Sequence, residues 1–188
     1  YVQGPKPEYK DDGSPVTVAD RAAEKVILDV LAEVSPEIPV ISEENSASHC
    51  TTPPDRFFLV DPLDGTREFI KKDGKGSFTV NIALIEQGEP PVGIIFVPAF
   101  DRLFTGVCGR GAHEQSNGTV RTIMAREVPS TGVLAVASIS HRDEETDRWL
   151  ADHGITETIS IGSSLKFCLL ACGEADVYPR FGPTMEWD

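Results

Sequence analysis

The chain has 188 residues, 40% of them apolar and 25% charged, the profile of a globular protein able to bury a core without disulfide staples. Its formal charge of −13 opposes a general nucleic-acid surface, because such surfaces neutralise phosphates with Lys and Arg. No apolar run nears the roughly 20 residues that cross a bilayer, and Tyr1 to Asp12 is polar and Pro-containing rather than leader-like. These features predict a cytoplasmic protein with no transmembrane segment, peripheral attachment at the inner membrane being left open.

In chain order, Ala19, Ala22, Ala23, Val26, Ile27, Val30, Leu31 and Val34 recur at spacings of three and four, which predicts an amphipathic helix over Thr17 to Val34, ended by Ser35-Pro36. A short strand at Ile38 to Ile41 leads to the acidic pair Glu43-Glu44 and a polar, Pro-rich loop from Asn45 to Asp55. Phe57 to Val60 reads as a buried strand running into Asp61, followed by a short helix near Thr66 to Ile70 and a Gly/Lys loop at Lys71 to Gly76. Phe78, Val80, Ile82 and Leu84 alternate as in a half-buried strand, and Val92 to Val97 and Arg102 to Val107 continue the sheet. Gly109 to Arg126 is turn-rich and is expected to pair at a sheet edge.

From Pro129 the pattern changes to strand and helix in alternation. Strands are expected at Val133 to Ala137, Thr158 to Ile161 and Ala175 to Tyr178, with helices at Asp143 to His153 and Ser164 to Cys172. We therefore place a soft boundary near residue 129 and divide the chain into an α+β domain at 1–128 and a small α/β domain at 129–188. Cys50, Cys108, Cys168 and Cys172 have no further Cys or His partners in a metal-binding pattern and are expected to be buried free thiols.

The chemistry concentrates in Asp61-Pro62-Leu63-Asp64-Gly65-Thr66. Two carboxylates three residues apart at the carboxyl end of an apolar strand can be aimed into one crevice by a turn, which Pro62 would help to fix. Gly65 permits close backbone approach, and a helix beginning at Thr66 would turn free N–H groups toward a phosphate. Magnesium takes oxygen ligands and joins carboxylates to substrate phosphate, so Asp61, Asp64, the Leu63 carbonyl and Glu43 form a candidate ligand set. Two such ions would serve an attacking water and a leaving oxygen. The plainer reading of the hexapeptide is a surface turn, since Asp, Pro and Gly are common turn formers.

That hexapeptide, with Glu43-Glu44 and Trp187-Asp188, resembles the signature of the inositol monophosphatase superfamily of lithium-sensitive, magnesium-dependent phosphatases. Pro15-Val16-Thr17-Val18-Ala19-Asp20, Arg67-Glu68-Phe69-Ile70, Gly162-Ser163-Ser164-Leu165-Lys166-Phe167 and Tyr178-Pro179-Arg180 look like its 3′(2′),5′-bisphosphate nucleotidase branch, which acts in sulfur assimilation. The resemblance covers essentially the whole chain and implies a layered αβαβα sandwich, an α+β fold. It also implies that the C-terminal part is truncated, because the family continues past the position of Asp188.

The resemblance further implies two to three Mg2+ ions held by Glu43, Asp61, the Leu63 carbonyl, Asp64 and Asp188. Asp20 and Thr66 would position the attacking water with help from Glu43. Asp64, Gly65, Thr66, His141, Ser163, Lys166, Arg180 and Asp188 would contact a small bisphosphorylated nucleotide, adenosine 3′,5′-bisphosphate, cleaved at its 3′ position to AMP and phosphate. Lys166 and Arg180 suit the phosphate that is not cleaved, since Arg offers a bidentate fork.

Plainer readings stand beside these. His141 is also a fitting solvated cap residue, Lys166 a snorkelling side chain, Arg180 a surface charge and Asp20 a helix-terminal carboxylate. An inositol or other sugar-phosphate phosphatase on the same scaffold is the alternative enzyme, and a non-catalytic acidic metal-binding module is the alternative outside catalysis. Neither oligomeric state nor metal stoichiometry is legible.

Overall fold

A computed structural model describes residues 6–10, 13–49, 52–71 and 77–187 of the protein. Two short strands, β1 (Glu8–Tyr9) and β2 (Pro15–Val16), pair antiparallel and deliver the chain to helix α1 (Val18–Val34). Thr17 caps α1: its side chain accepts from the Ala19 N–H, while the Asp20 carboxylate accepts from the Thr17 backbone, a reciprocal capping box. The wide apolar face expected for α1 is only partly covered. Leu31 is buried against the sheet, whereas Val26, Val30 and Val34 are exposed.

The main layer is a seven-stranded sheet of β3 (Val40–Ser42), β4 (Arg56–Asp64), β5 (Thr79–Glu86), β6 (Glu89–Val97), β7 (Arg102–Val107), β8 (Gly111–Ser116) and β9 (Thr119–Ile123), hydrogen-bonded in that order. Only the β3/β4 pair is parallel. The rest pair antiparallel, β4 to β5 by way of residues 65–78 and β5 to β9 through short connections, and α1 packs on β4.

β4 does not stop at Val60. Asp61 pairs with Asn81 and Asp64 with Thr79, so three steps on β4 oppose two on β5. The turn expected between the two aspartates is a β-bulge. Pro62 sits inside it, where the missing N–H costs no regular ladder bond. Helix α2 (Thr66–Lys71) follows at once, and the Gly/Lys loop beyond it falls mostly on 72–76, outside the described residues.

Parallel strands β10 (Leu134–Ser138) and β11 (Glu157–Ile161) are joined through helix α3 (Glu144–Asp152), which Asp143 caps by accepting from the Thr146 N–H. Helix α4 (Leu165–Ala171) touches both β6 and β10 and so lies between the two sheets. The strand expected over Ala175 to Tyr178 shrinks to a single bridge from Ala135 to Val177, because Pro179 has no N–H with which to extend the ladder. Helix and sheet layers thus alternate as an α+β fold, and no helix among the described residues is long and apolar enough to cross a membrane.

One apolar cluster joins the sheets. Val97 and Phe104 from the large sheet meet Val136, Leu165, Cys168 and Leu169, all buried. Burial pushes the Cys168 thiol up to about 12, so it behaves as a small hydrophobe. Cys172 is half-buried and Cys108 exposed, against the expectation of uniform burial, and Cys50 lies outside the described residues. At the sheet edge the buried Glu114 carboxylate accepts from Arg102 at 2.5 Å and Arg121 at 2.8 Å, and Arg102 also donates to Glu174 beyond α4 at 2.6 Å. Burial raises the Glu114 carboxyl, but the two arginine hydrogen bonds outweigh it and hold the group below its ordinary 4.5.

A depressed carboxyl contributes stability that is present above its unfolded value and is lost as pH falls through the folded one. We expect stability to decline in acid below pH 4.5, and Glu114→Gln to be less stable at pH 7 with a shallower acid decline, measured by urea unfolding across pH.

Candidate active site

The bulged end of β4, the start of α2 and the segment entering α4 enclose a cavity of about 450 Å³. Asp64 and Thr66 line its floor, and Asp61, buried on the same bulged strand end, lies directly behind them. Gly65 makes the turn possible in two ways. Its φ is +90°, and a Cβ there would stand 3.0 Å from the Ser77 carbonyl oxygen and 3.2 Å from the Ser163 Cβ.

Asp20 is fully buried. One of its oxygens accepts the Thr17 N–H at 2.8 Å and the Thr17 hydroxyl at 2.6 Å, and the other accepts the Thr66 hydroxyl at 3.1 Å. The Leu63 carbonyl lies 3.3 Å from the same Thr66 hydroxyl. The helix cap of α1 and Thr66 are thereby one hydrogen-bonded unit, in which Asp20 both caps its helix and accepts from the Thr66 hydroxyl.

Asp61 is 1% exposed and accepts the Leu63 N–H at 3.0 Å. Burial first, then the charges of Glu43 and Asp64, push its carboxyl well above the ordinary aspartate range. Glu43 reaches this place because its N–H bonds the Val60 carbonyl, directly before Asp61. The Lys10 ammonium, at the end of the β1–β2 segment, sits 2.8 Å from both Glu43 and Glu44. Burial raises the Glu44 carboxyl, which Lys10 partly opposes.

Asp64 carries the link across the sheets. One of its oxygens accepts the Ser164 N–H at 2.5 Å and faces the Thr79 hydroxyl at 3.4 Å. The Ser164 hydroxyl donates to the Asn81 side-chain oxygen at 2.7 Å and lies 2.8 Å from Thr79. Three buried polar side chains, two of them on β5, thus hold the entrance of α4 against the aspartate. Sequence reading passed over Thr79 and Asn81. Their signal was present, as two polar residues spaced by two on one face of an otherwise apolar strand.

The far wall is cationic. Lys166 is buried, with its ammonium donating to the Ser163 carbonyl and lying 5.3 Å from the centre of the Tyr178 ring. Arg180 donates to the Gly182 and Pro183 carbonyls at 3.2 and 2.6 Å. His141 lines the cavity with both. Burial, then Arg180, Arg67 and Lys166, lower its pKa from 6.5, so the ring is neutral at pH 7. Ser163 holds a left-handed φ of 55° beside Gly65. Under the same wall, Glu68 accepts the Ser140 hydroxyl, and a Cβ at Gly162 would stand 2.8 Å from the Glu68 Cγ.

The structure therefore gathers Glu43, Asp64, Gly65, Thr66, His141, Ser163, Lys166 and Arg180 around one cavity, with Asp20, Asp61 and Leu63 directly behind it. Asp188 lies outside the described residues, but its neighbour Trp187 lines the cavity and stacks on His49 at 5.1 Å. α2 is a six-residue helix, too short for its N-terminus to form an anion site by itself.

The donor set fits a hard divalent cation. Glu43, Asp61, Asp64 and the Leu63 carbonyl all offer oxygen donors, and both the burial and the neighbouring charges that raise Asp61 are what a cation offsets. Among the described residues, however, no three side chains already stand as a closed metal group. Glu43 is engaged by Lys10, and one Asp64 oxygen by Ser164.

The inositol monophosphatase family model matches residues 4–188, and the chain belongs to that family of phosphatases. Within it, the chain is 49% identical over 189 residues to the 3′(2′),5′-bisphosphate nucleotidase CysQ of Salmonella typhimurium, covering 98% of this chain and 75% of that protein. It is 46% identical to CysQ of Escherichia coli K12, covering 95% and 71%. The crystal structure of CysQ from Bacteroides thetaiotaomicron superposes with a TM-score of 0.80 at 42% identity, over 95% of this chain and 72% of that one. A Thermotoga maritima inositol monophosphatase shares the fold, with a TM-score of 0.76 at 24% identity over 94% of this chain and 66% of that one.

Two measurements probe this geometry. Ser164→Ala should cost about 1–3 kcal/mol in urea unfolding, because the Asn81 oxygen and Thr79 hydroxyl lose a buried partner. Lys10→Met should bind Mg2+ several-fold more tightly by calorimetry, since removing the ammonium from Glu43 removes a competitor worth up to about 1 kcal/mol.

Proposed function

We propose that this phosphatase hydrolyses the 3′-phosphate of adenosine 3′,5′-bisphosphate, giving AMP and phosphate. The observation that carries this reading is the division of one cavity into a carboxylate floor and a cationic wall. A monoester to be cleaved seats over the carboxylates. A second phosphate on the same molecule needs cations at a distance, and Lys166 and Arg180 stand there. The CysQ relatives are named 3′(2′),5′-bisphosphate nucleotidases, which supports a bisphosphorylated nucleotide as substrate.

Mg2+, two to three ions held by Glu43, Asp61, the Leu63 carbonyl, Asp64 and Asp188, would neutralise the phosphate and lower the pKa of a water. The residues of the chain do the orienting. Asp20 is wholly buried and turns one oxygen to the Thr66 hydroxyl, so the Thr66 proton points away from the cavity and its oxygen lone pairs point in. A water donating to the Thr66 oxygen is held with its own lone pair free to attack phosphorus. Its proton passes to the Thr66–Asp20 pair, with the Glu43 carboxylate on the same cavity to assist, while the bond from phosphorus to the ribose 3′-oxygen breaks and that oxygen leaves as the AMP hydroxyl, taking a proton from solvent.

Attack at phosphorus depends mainly on such positioning and charge neutralisation. Across the cavity, neutral His141 donates or accepts toward the nucleoside without adding charge, and Ser163 and Gly65 shape the passage between the two phosphate seats.

With Mg2+, the protein should release phosphate from adenosine 3′,5′-bisphosphate faster than from inositol 1-phosphate. Chelation should abolish the release and added Mg2+ restore it. Asp64→Asn should reduce it by at least about 100-fold, as for loss of a group that both ligates and is held by partners. Preference for inositol 1-phosphate would assign the site to the sugar-phosphate class instead, and tight Mg2+ binding with no turnover of either ester would make it a non-catalytic module.

A further inference from the structure

Arg67 stands immediately after Thr66 in α2 and lines the same cavity as His141, Lys166 and Arg180. Its side chain is exposed and forms no ion pair or side-chain hydrogen bond among the described residues. The chain carries 30 acidic residues against 17 basic ones, and among the described residues Arg67, Arg110, Arg148 and Arg180 have no carboxylate partner, of which only Arg67 and Arg180 line the cavity. Arg21, Arg56, Arg102, Arg121, Arg126 and Arg142 are each paired with a carboxylate. The adjacent Glu68 does not serve Arg67, since it accepts from Ser140 and faces Lys71. A guanidinium kept clear of counter-ions at the mouth of a cavity is a seat for an anionic ligand group.

The other cations of the wall are less available. The Lys166 ammonium is 7% exposed and directed onto the Ser163 carbonyl and the Tyr178 ring. Arg180 is fastened by two backbone carbonyls, which fixes the direction of its fork. Arg67, His141, Lys166 and Arg180 line one cavity, where burial and the charges of the three cations lower the His141 pKa. Arg67 is the member of that group with a solvent-facing, uncommitted fork.

We infer that Arg67 is a specificity-determining residue whose guanidinium, acting with Arg180, receives the phosphate that is not cleaved, so that the cavity selects bisphosphorylated over monophosphorylated nucleotides. This rests on the bisphosphate nucleotidase reading above. It assigns Arg67 no part in the chemical step, which belongs to the carboxylate floor.

The test compares two substrates that share the scissile 3′-phosphate and differ only in the second one, adenosine 3′,5′-bisphosphate and adenosine 3′-monophosphate. Arg67→Met should lower kcat/KM for the bisphosphate about 10- to 100-fold, through KM, as loss of a charge-assisted contact does. For the monophosphate it should change kcat/KM by less than about 3-fold, which also shows that the variant is folded. Arg67→Lys should recover part of the loss, keeping the charge but not the fork. An unchanged bisphosphate KM, or an equal loss on both substrates, overturns the role of Arg67 while leaving the nucleotidase reading standing. A wild-type protein that cleaves inositol 1-phosphate and neither nucleotide overturns both.

Discussion

The hydrogen bond from the Ser164 N–H to the Asp64 carboxylate, 2.5 Å long and joining residues a hundred positions apart, is the contact on which the site depends. Asp64 ends the strand that carries the acidic floor, and Ser164 begins the helix that carries Lys166. A single carboxylate oxygen therefore sets the distance between the two chemistries of the cavity. Around it, Thr79, Asn81 and the Ser164 hydroxyl satisfy one another in a buried network, and such networks fix one geometry because any slip leaves polar atoms unpaired. The apolar cluster of Val97, Val136 and Leu165 supplies the cohesion, and the polar network supplies the register.

Electrostatics shape the rest. Burying Asp61 beside Glu43 and Asp64 costs free energy in the absence of a cation, and burial first, then the two neighbouring charges, push its carboxyl up. Lys10 offsets part of that cost from the side, on Glu43 and Glu44. The opposite wall concentrates positive charge in a chain whose net charge is −13. Net charge argues against a polyanion surface, yet it says nothing about a pocket a few side chains wide, where the local sign is reversed.

Close backbone approach is the third constraint. Gly65 and Gly162 stand where a Cβ would meet Ser77 and Glu68, and Ser163 between them accepts a left-handed backbone. These positions let the bulge of β4 and the entrance of α4 come together closely enough for the Asp64 bond to form. The hexapeptide is consequently more than a turn with two acids. It is a bulge, a glycine passage and a helix start pressed against another layer.

Much of this was legible in the chain itself. The order of strands and helices followed from side-chain periodicity, because alternation by two and recurrence by three and four are imposed by local backbone geometry. The acidic hexapeptide stood out because its residues are contiguous, and the family resemblance joined it to Glu43, Lys166 and Arg180. Tertiary structure alone decided what depends on contacts between distant segments. That the capping carboxylate of Asp20 also holds Thr66, that Lys10 sits on Glu43, and that Asp61 to Asp64 forms a bulge rather than a turn all depend on pairing with β5 or packing of α1. Charge pairing is likewise a property of space. Sequence shows ten arginines without distinguishing them, whereas the fold shows which are neutralised by a carboxylate and which face the cavity.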